Sequence, residues 1–304
     1  NKKVFTYEEC EKYNHLVLKK LIYDWKPEKI LIWNIQGLGT KLLNTVIESK
    51  ISFNIFCWDY TYFYYQKKIK DYLLFRSQNK VSNSQYSLIK KKMIFPSKYL
   101  QNYYGVNLNE NKVLYPFVEF DKFNYNPNFS PKKNKLVYLG QIVEHKGIYD
   151  IISLIEKYNK QNNESLNLTI YSQNINKKNY EYLKKFNFIN IKDNIKREQI
   201  QKELPLYDIG LFPSKWKEPF GISCLEMLAS GLIVLSTCAG GSDEMVINKN
   251  PIKFDIFNKN DFISKLQEIM KYKNNKSDWN REGIKKFDNS SIVNQLNQIV
   301  INEN

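Results

Sequence analysis

Between residues 135 and 236 short apolar runs alternate with segments of helical period, and this alternation constrains the fold more than any other feature of the chain. Runs at 135–139, 166–171, 188–191, 209–213 and 233–236 are too short for helices, and Gly, Pro or Asn punctuate them as they do strands. Helical stretches are predicted between them at 147–159, 178–186, 199–204 and 222–230. The first carries Ile148, Ile151, Ile152, Ile155 and Tyr158 at three- and four-residue spacing, and Gly231 provides a stop for the last. Strands joined through helices pair in parallel, because the crossover returns the chain to the end of the sheet from which it left. A doubly wound α/β domain is therefore expected here.

The preceding residues repeat the pattern less cleanly. A helix is predicted over 8–25, with Leu16, Leu18, Leu21 and Ile22 on one stripe, and Pro27 breaks it before an apolar strand at 30–33. A helix at 40–49, strands at 53–58 and 92–95, a short helix at 98–104 and a strand at 112–116 follow. The stretch 124–134, with Pro127, Pro131 and repeated Asn but no apolar period, is the best linker. These signs divide the chain into a partial first domain (1–126), a second domain (127–286) and a C-terminal helix (287–304) returning to the first. Terminal helices are predicted at 261–272 and 290–301, the latter aligning Ile292, Val293, Leu296, Ile299 and Val300.

With 304 residues, 42% of them hydrophobic, the chain is long enough for two cores and too apolar for a disordered class. There is no run of about 18 uncharged apolar residues and no signal pattern, so a cytoplasmic location is expected. The net charge of +15 comes from Lys spread along the whole chain, and is read mainly as solvated background. Its functional reading is peripheral contact with an anionic membrane at the inner face. A nucleic-acid partner is not expected, because no zinc pattern, helix-turn-helix or aromatic ribonucleoprotein motif accompanies the charge. Cys10, Cys57, Cys224 and Cys238 are too scattered for a zinc ribbon or disulfide framework, so free thiols and no metal are expected.

Ligands of open α/β sheets bind beyond the C-terminal strand ends, where helix N-termini offer unpaired N–H groups. Two junctions stand out there. In Gly140-Gln141-Ile142-Val143-Glu144-His145-Lys146-Gly147, a lysine and a glycine meet at a helix start, suited to a diphosphate but common as a plain turn. His145 reads as exposed. The second junction holds Glu218, then Pro219-Phe220-Gly221 and a helix start, then Glu226. Glu226 lies among Cys224, Leu225, Met227, Leu228 and Ala229 with no other charge on its helix, and a buried carboxylate needs a partner or a ligand. A carboxylate there accepts two hydrogen bonds from a vicinal diol such as ribose offers. Downstream, Gly240-Gly241 permits close backbone approach.

The run Tyr207-Asp208-Ile209, Pro213-Ser214, Glu218-Pro219-Phe220-Gly221, Cys224 to Gly231, Gly240-Gly241 and Glu244 resembles the signature of retaining family 4 of the GT-B glycosyltransferases. The 140–147 junction, Phe95-Pro96-Ser97-Lys98 and Tyr115-Pro116 are similar as well, so the likeness extends over nearly the whole chain. It implies a GT-B architecture, two Rossmann-like doubly wound domains facing across a cleft, with the first domain incomplete. It further implies that the donor is a nucleoside-diphosphate sugar and the acceptor a glycan, lipid-linked or small molecule, with no cofactor or metal. By the same resemblance Lys146 binds the diphosphate, Glu226 the ribose, and Glu218 the transferred sugar beside the N–H groups of Phe220, Gly221 and Ile222. Gly140, Gln141, Gly240 and Gly241 complete the donor site. Glu218, Lys146 and Asp59 are the catalytic candidates.

Three departures accompany this likeness. Gln141 stands where members usually have Arg, which removes one cationic phosphate contact. Trp58-Asp59 stands where many have His-Asp. An opening strand and glycine-rich loop have no counterpart before Pro27, equivalent to about 50 to 60 residues on domain-size grounds. Beside an active transferase, a catalytically silent sugar-nucleotide-binding module is therefore kept as the alternative. A GT-B sugar-nucleotide epimerase shares the architecture without the Glu-x7-Glu loop.

Overall fold

The alternating segments fold as parallel α/β sheets in two compact units, Asn1–Leu114 with Ile299–Asn304, and Tyr115–Gln298. The computed structural model describes residues 7–33, 40–60, 83–107, 112–123, 134–162, 165–247, 250–271 and 281–301. Most of the linker expected at 124–134 lies outside these.

In the first unit α1 (Tyr7–Trp25), β1 (Lys29–Ile32), α2 (Thr40–Glu48), β2 (Ser52–Phe56), α3 (Asn83–Lys91), β3 (Met93–Ile94) and α4 (Lys98–Tyr103) follow one another. The strands pair in parallel in the order β1-β2-β3. Leu43 and Val46 of α2, Phe53 and Ile55 of β2, and Met93 of β3 share one buried cluster. Ser97 caps α4 by accepting from the Leu100 N–H at 3.0 Å, the local reason a helix starts straight after Pro96. The strand expected at 112–116 is reduced to a single bridge between Val113 and Phe95, since Pro116 has no N–H to offer a ladder.

The second unit holds β4 (Lys135–Leu139), α5 (Ile148–Gln161), β5 (Asn167–Ser172), α6 (Lys177–Leu183), β6 (Ile189–Asp193), α7 (Arg197–Glu203), β7 (Ile209–Phe212), α8 (Ile222–Ala229), β8 (Ile233–Ser236), β9 (Ile252–Lys253) and α9 (Lys259–Lys271). A last helix, α10 (Asn289–Ile301), continues to the end of the described chain. All six strands are parallel, in the order β6-β5-β4-β7-β8-β9. The chain winds outward from β4 to β6, then returns to β7 on the other side of β4, so the strand order reverses between β4 and β7. β9 has only two residues, too few for any periodic signal in the sequence.

Side-chain alternation along each strand feeds two cores. Leu136 and Tyr138 of β4 pack in one cluster with Ile151, Ile152 and Ile155 of α5 and Phe262, Leu266 and Ile269 of α9. Val137 faces the other way, in a cluster with Cys224, Leu225 and Met227 of α8 and with Phe287. Covering both faces explains why the strands read as continuous apolar runs. Among the described residues no helix is long and apolar enough to cross a membrane, and all four cysteines are free thiols.

Ile152 is 0% exposed, and Ile152→Ala is expected to lower unfolding free energy by about 2–5 kcal/mol in urea titration through transfer and cavity costs. Leu206 is 61% exposed, and Leu206→Ala should change it by no more than about 0.5 kcal/mol.

Candidate functional site

Three loops leave the C-terminal ends of β4, β7 and β8, and backbone contacts fasten them around Glu218. Gly147 opens α5 at φ 71°, and a Cβ there would lie 2.0 Å from the carbonyl oxygen of Pro213. Only glycine lets the β4 loop lie this close to the β7 loop. The carbonyl of His145 accepts from the N–H groups of Lys215 at 2.9 Å and Trp216 at 3.1 Å. His145 therefore ties the two loops through its backbone, and its exposed ring meets the edge of Trp216. The β8 loop joins similarly: the Glu218 N–H donates to Ala239 O at 3.0 Å, and the Gly241 N–H donates to Glu218 O at 2.7 Å. Gly240 has φ 75°, and a Cβ on it would come 2.5 Å from Glu218 O. The glycine pair thus admits the Glu218 loop itself.

Glu218 is buried, and its Oε1 accepts from Lys146 Nζ and from Ser214 Oγ, each at 2.7 Å. The structure brings together two residues that the sequence analysis assigns to different parts of the ligand. An ammonium has three donors, so Lys146 keeps two beyond Glu218 for an anion. Oε2 of Glu218 receives no hydrogen bond among the described residues. Beside it, the N–H groups of Phe220, Gly221 and Ile222 find no acceptor among the described residues, as expected where a helix begins. The Phe220 ring is buried against Tyr115 and Phe287, so only its backbone is available to a ligand. Tyr115 Oη in turn donates to Glu244 Oε2 at 2.9 Å, which links the motif glutamate to the same aromatic cluster. Burial, then the charge of Glu244, holds the Tyr115 hydroxyl well above the usual tyrosine range.

Glu226 sits on the second turn of α8, and its side chain is 11% exposed. Its Oε1 takes two contacts from Arg197 at the start of α7, Nε at 3.0 Å and Nη2 at 2.9 Å. The sequence analysis missed this partner, which lies 29 residues away on another helix. Burial pushes the Glu226 carboxyl above the usual carboxylate range, and Arg197 opposes the shift without cancelling it.

At the β4 end, Gly140 gives room for the Tyr138 ring to fold back, so that Tyr138 Oη donates to Gln141 O at 2.7 Å. The Gln141 side chain is exposed. Asp59 belongs to the first unit, just beyond β2, where its carbonyl accepts from Tyr104 Oη at 3.1 Å. Trp58 packs against Phe56 and Trp33, with ring centroids 4.5 and 5.3 Å away. Among the described residues no three His, Cys, Asp or Glu side chains gather as a metal site.

A carboxyl whose folded pKa is raised favours folding in its protonated form, so that contribution fades as rising pH ionises it. Glu226→Gln removes the titration. The melting temperature of Glu226→Gln minus that of the unaltered chain is therefore expected to increase as pH rises from acid to neutral, in parallel scanning fluorimetry of the two proteins.

Comparison with known proteins agrees with this fold. No curated protein matched the chain. Among solved structures, the sucrose-phosphate synthase of Thermosynechococcus elongatus superposes with a TM-score of 0.70 at 14% identity, covering 97% of this chain and 78% of that one. A glycosyltransferase from Rickettsia africae gives 0.67 at 14% identity, covering 100% and 84%. Anabaena HepE, solved in complex with UDP, gives 0.68 at 14% identity, covering 96% and 82%. At such identities the likeness speaks for the fold, which is mixed α/β with parallel sheets of GT-B type. The model of the family "Glycosyl transferases group 1" matches residues 119–286, a span that contains every loop around Glu218, and the chain belongs to that family.

Proposed function

We propose that the chain transfers a sugar from a nucleoside-diphosphate sugar to a glycan, lipid-linked or small-molecule acceptor, with retention of anomeric configuration and without a metal. The observation that carries this is Lys146 held on buried Glu218 beside the N–H groups at the start of α8 that have no acceptor among the described residues. The leaving diphosphate gains negative charge as the glycosidic bond breaks. A lysine ammonium and a helix N-terminus aimed at that charge stabilise it with little reorganisation. Glu218 turns its free Oε2 toward a hydroxyl of the transferred sugar. Glu226 accepts from the ribose diol, and Gly140 with Gln141 lines the phosphate side. Asp59 is the candidate from the first unit. The HepE structures with UDP and with UDP-glucose support a donor of this class. Retention rests on the resemblance of residues 207–244 to the retaining family 4 signature.

A silent nucleotide-binding module is the second reading. It is favoured by Trp58, which packs in an aromatic cluster with Trp33 and Phe56 where many members carry a histidine. Donor hydrolysis or transfer to any acceptor would dismiss it.

Calorimetric titration with UDP, GDP, ADP and their sugar conjugates tests the donor site. One nucleotide should bind selectively, and Lys146→Ala and Glu226→Ala should each weaken it about 10- to 100-fold, the worth of a charge-assisted hydrogen bond. Unchanged affinity in both variants would sink the assignment.

A further inference from the structure

The chain has 46 basic residues, and only Arg76, Arg197 and Arg281 among them are arginines. Against that lysine background, an arginine facing a buried carboxylate points to a need for the planar fork that an ammonium lacks. Arg197 directs both Nε and Nη2 at the same oxygen, Glu226 Oε1, at 3.0 and 2.9 Å. Glu226 Oε2 has no hydrogen bond among the described residues. The arginine side chain is 58% exposed and the glutamate side chain 11%, so the pair meets solvent on the arginine's side.

The helix that carries Arg197 is fixed at both ends. At its start Asn194 adopts a left-handed conformation at φ 54° and donates its N–H to Ser172 O at 3.0 Å. The Asn194 side chain accepts from the Asn174 N–H at 3.1 Å. At its end Glu203 accepts from Tyr171 Oη and from Gln199 Nε2, with Lys192 3.6 Å away. The guanidinium therefore projects from a backbone anchored to β5 and β6, which makes its place opposite Glu226 reproducible.

We propose that Arg197 is a positioning residue of the nucleotide site: it grips Oε1 of Glu226, opposes protonation of the buried carboxylate, and leaves Oε2 turned out to accept from the ribose diol. This rests on the donor-site reading given above. A protonated carboxyl would lose acceptor capacity where the diol needs it. Burial drives Glu226 toward that protonated form. No other charge on α8, β7 or β8 opposes this, and Lys285 and Lys286, on the turn packed beside α8, are exposed. Arg197 is the counter-charge that acts on it.

The test is nucleotide titration of the full chain and of Arg197→Ala, Arg197→Lys and Glu226→Gln across about pH 5.5 to 8.5, using the best binder among UDP, GDP and ADP. Circular dichroism confirms that each variant is folded. Arg197→Ala should bind about tenfold more weakly at the acid end and recover toward the unaltered chain as rising pH ionises Glu226. Arg197→Lys keeps the charge without the fork and should restore only part of the loss, and Glu226→Gln should be weak at every pH. An Arg197→Ala loss that is equal at all pH values, or no loss, would overturn the positioning role. Carboxyl carbon NMR of Glu226 without ligand gives an independent readout: its titration midpoint should move up in Arg197→Ala, and an unmoved midpoint would also overturn the proposal. Failure of the unaltered chain to bind any nucleotide would remove the donor reading and the ribose role with it, whatever the midpoint does.

Discussion

The contact on which the site depends is the approach of Gly147 to the carbonyl of Pro213, at the point where the strand order reverses. With no room for a Cβ, the start of α5 lies directly against the β7 loop. The carbonyl of His145 then collects two N–H groups from that loop. Lys146 stands between these two fastenings, which brings its ammonium to Glu218, whose Oε1 also accepts from Ser214. A larger residue at position 147 would separate the loops and leave Glu218 a buried carboxylate without its cation, an expensive state in a low-dielectric interior.

Glu218 and Glu226 share a physical design. Each carboxylate is buried, each has Oε1 satisfied by a cation, and each keeps Oε2 without a hydrogen bond among the described residues. In the proposed function these oxygens accept hydroxyls of the donor, which they can do without a protein donor having to be displaced. The cations differ to suit their tasks. Lysine is a compact charge with donors to spare, whereas arginine commits a rigid fork to one oxygen. Buried charge of this kind is costly to stability and is retained where it serves binding.

Much of the second unit was legible in the sequence because its signals are local. The strands at Lys135–Leu139 and Ile233–Ser236 match the apolar runs, and α5 follows its three- and four-residue spacing. The short helix α4 after Ser97, in the first unit, and the stop after Ala229 likewise depend on residues a few positions apart. Signals failed where the determinant lies elsewhere in the chain. The two-residue β9 exists only because β8 offers an edge. The position of the division between the units, at Leu114 and Tyr115, is likewise a matter of long-range contacts.

The sequence by itself determined the parallel α/β class, and it named the candidate loops with two glutamates and one lysine within them. The fold class follows from period and spacing, Glu226 from the improbability of a charge in an apolar helix, and Lys146 and Glu218 from the family resemblance. Only the tertiary structure decided their pairing: that Lys146 is held by Glu218, that the Gly240 turn admits the Glu218 backbone, and that Arg197 grips Glu226. The partners are 72 and 29 residues apart in the chain. Hydrogen bonds require atoms within about 3 Å, and no local pattern encodes which distant atoms a sheet's strand order will bring that close.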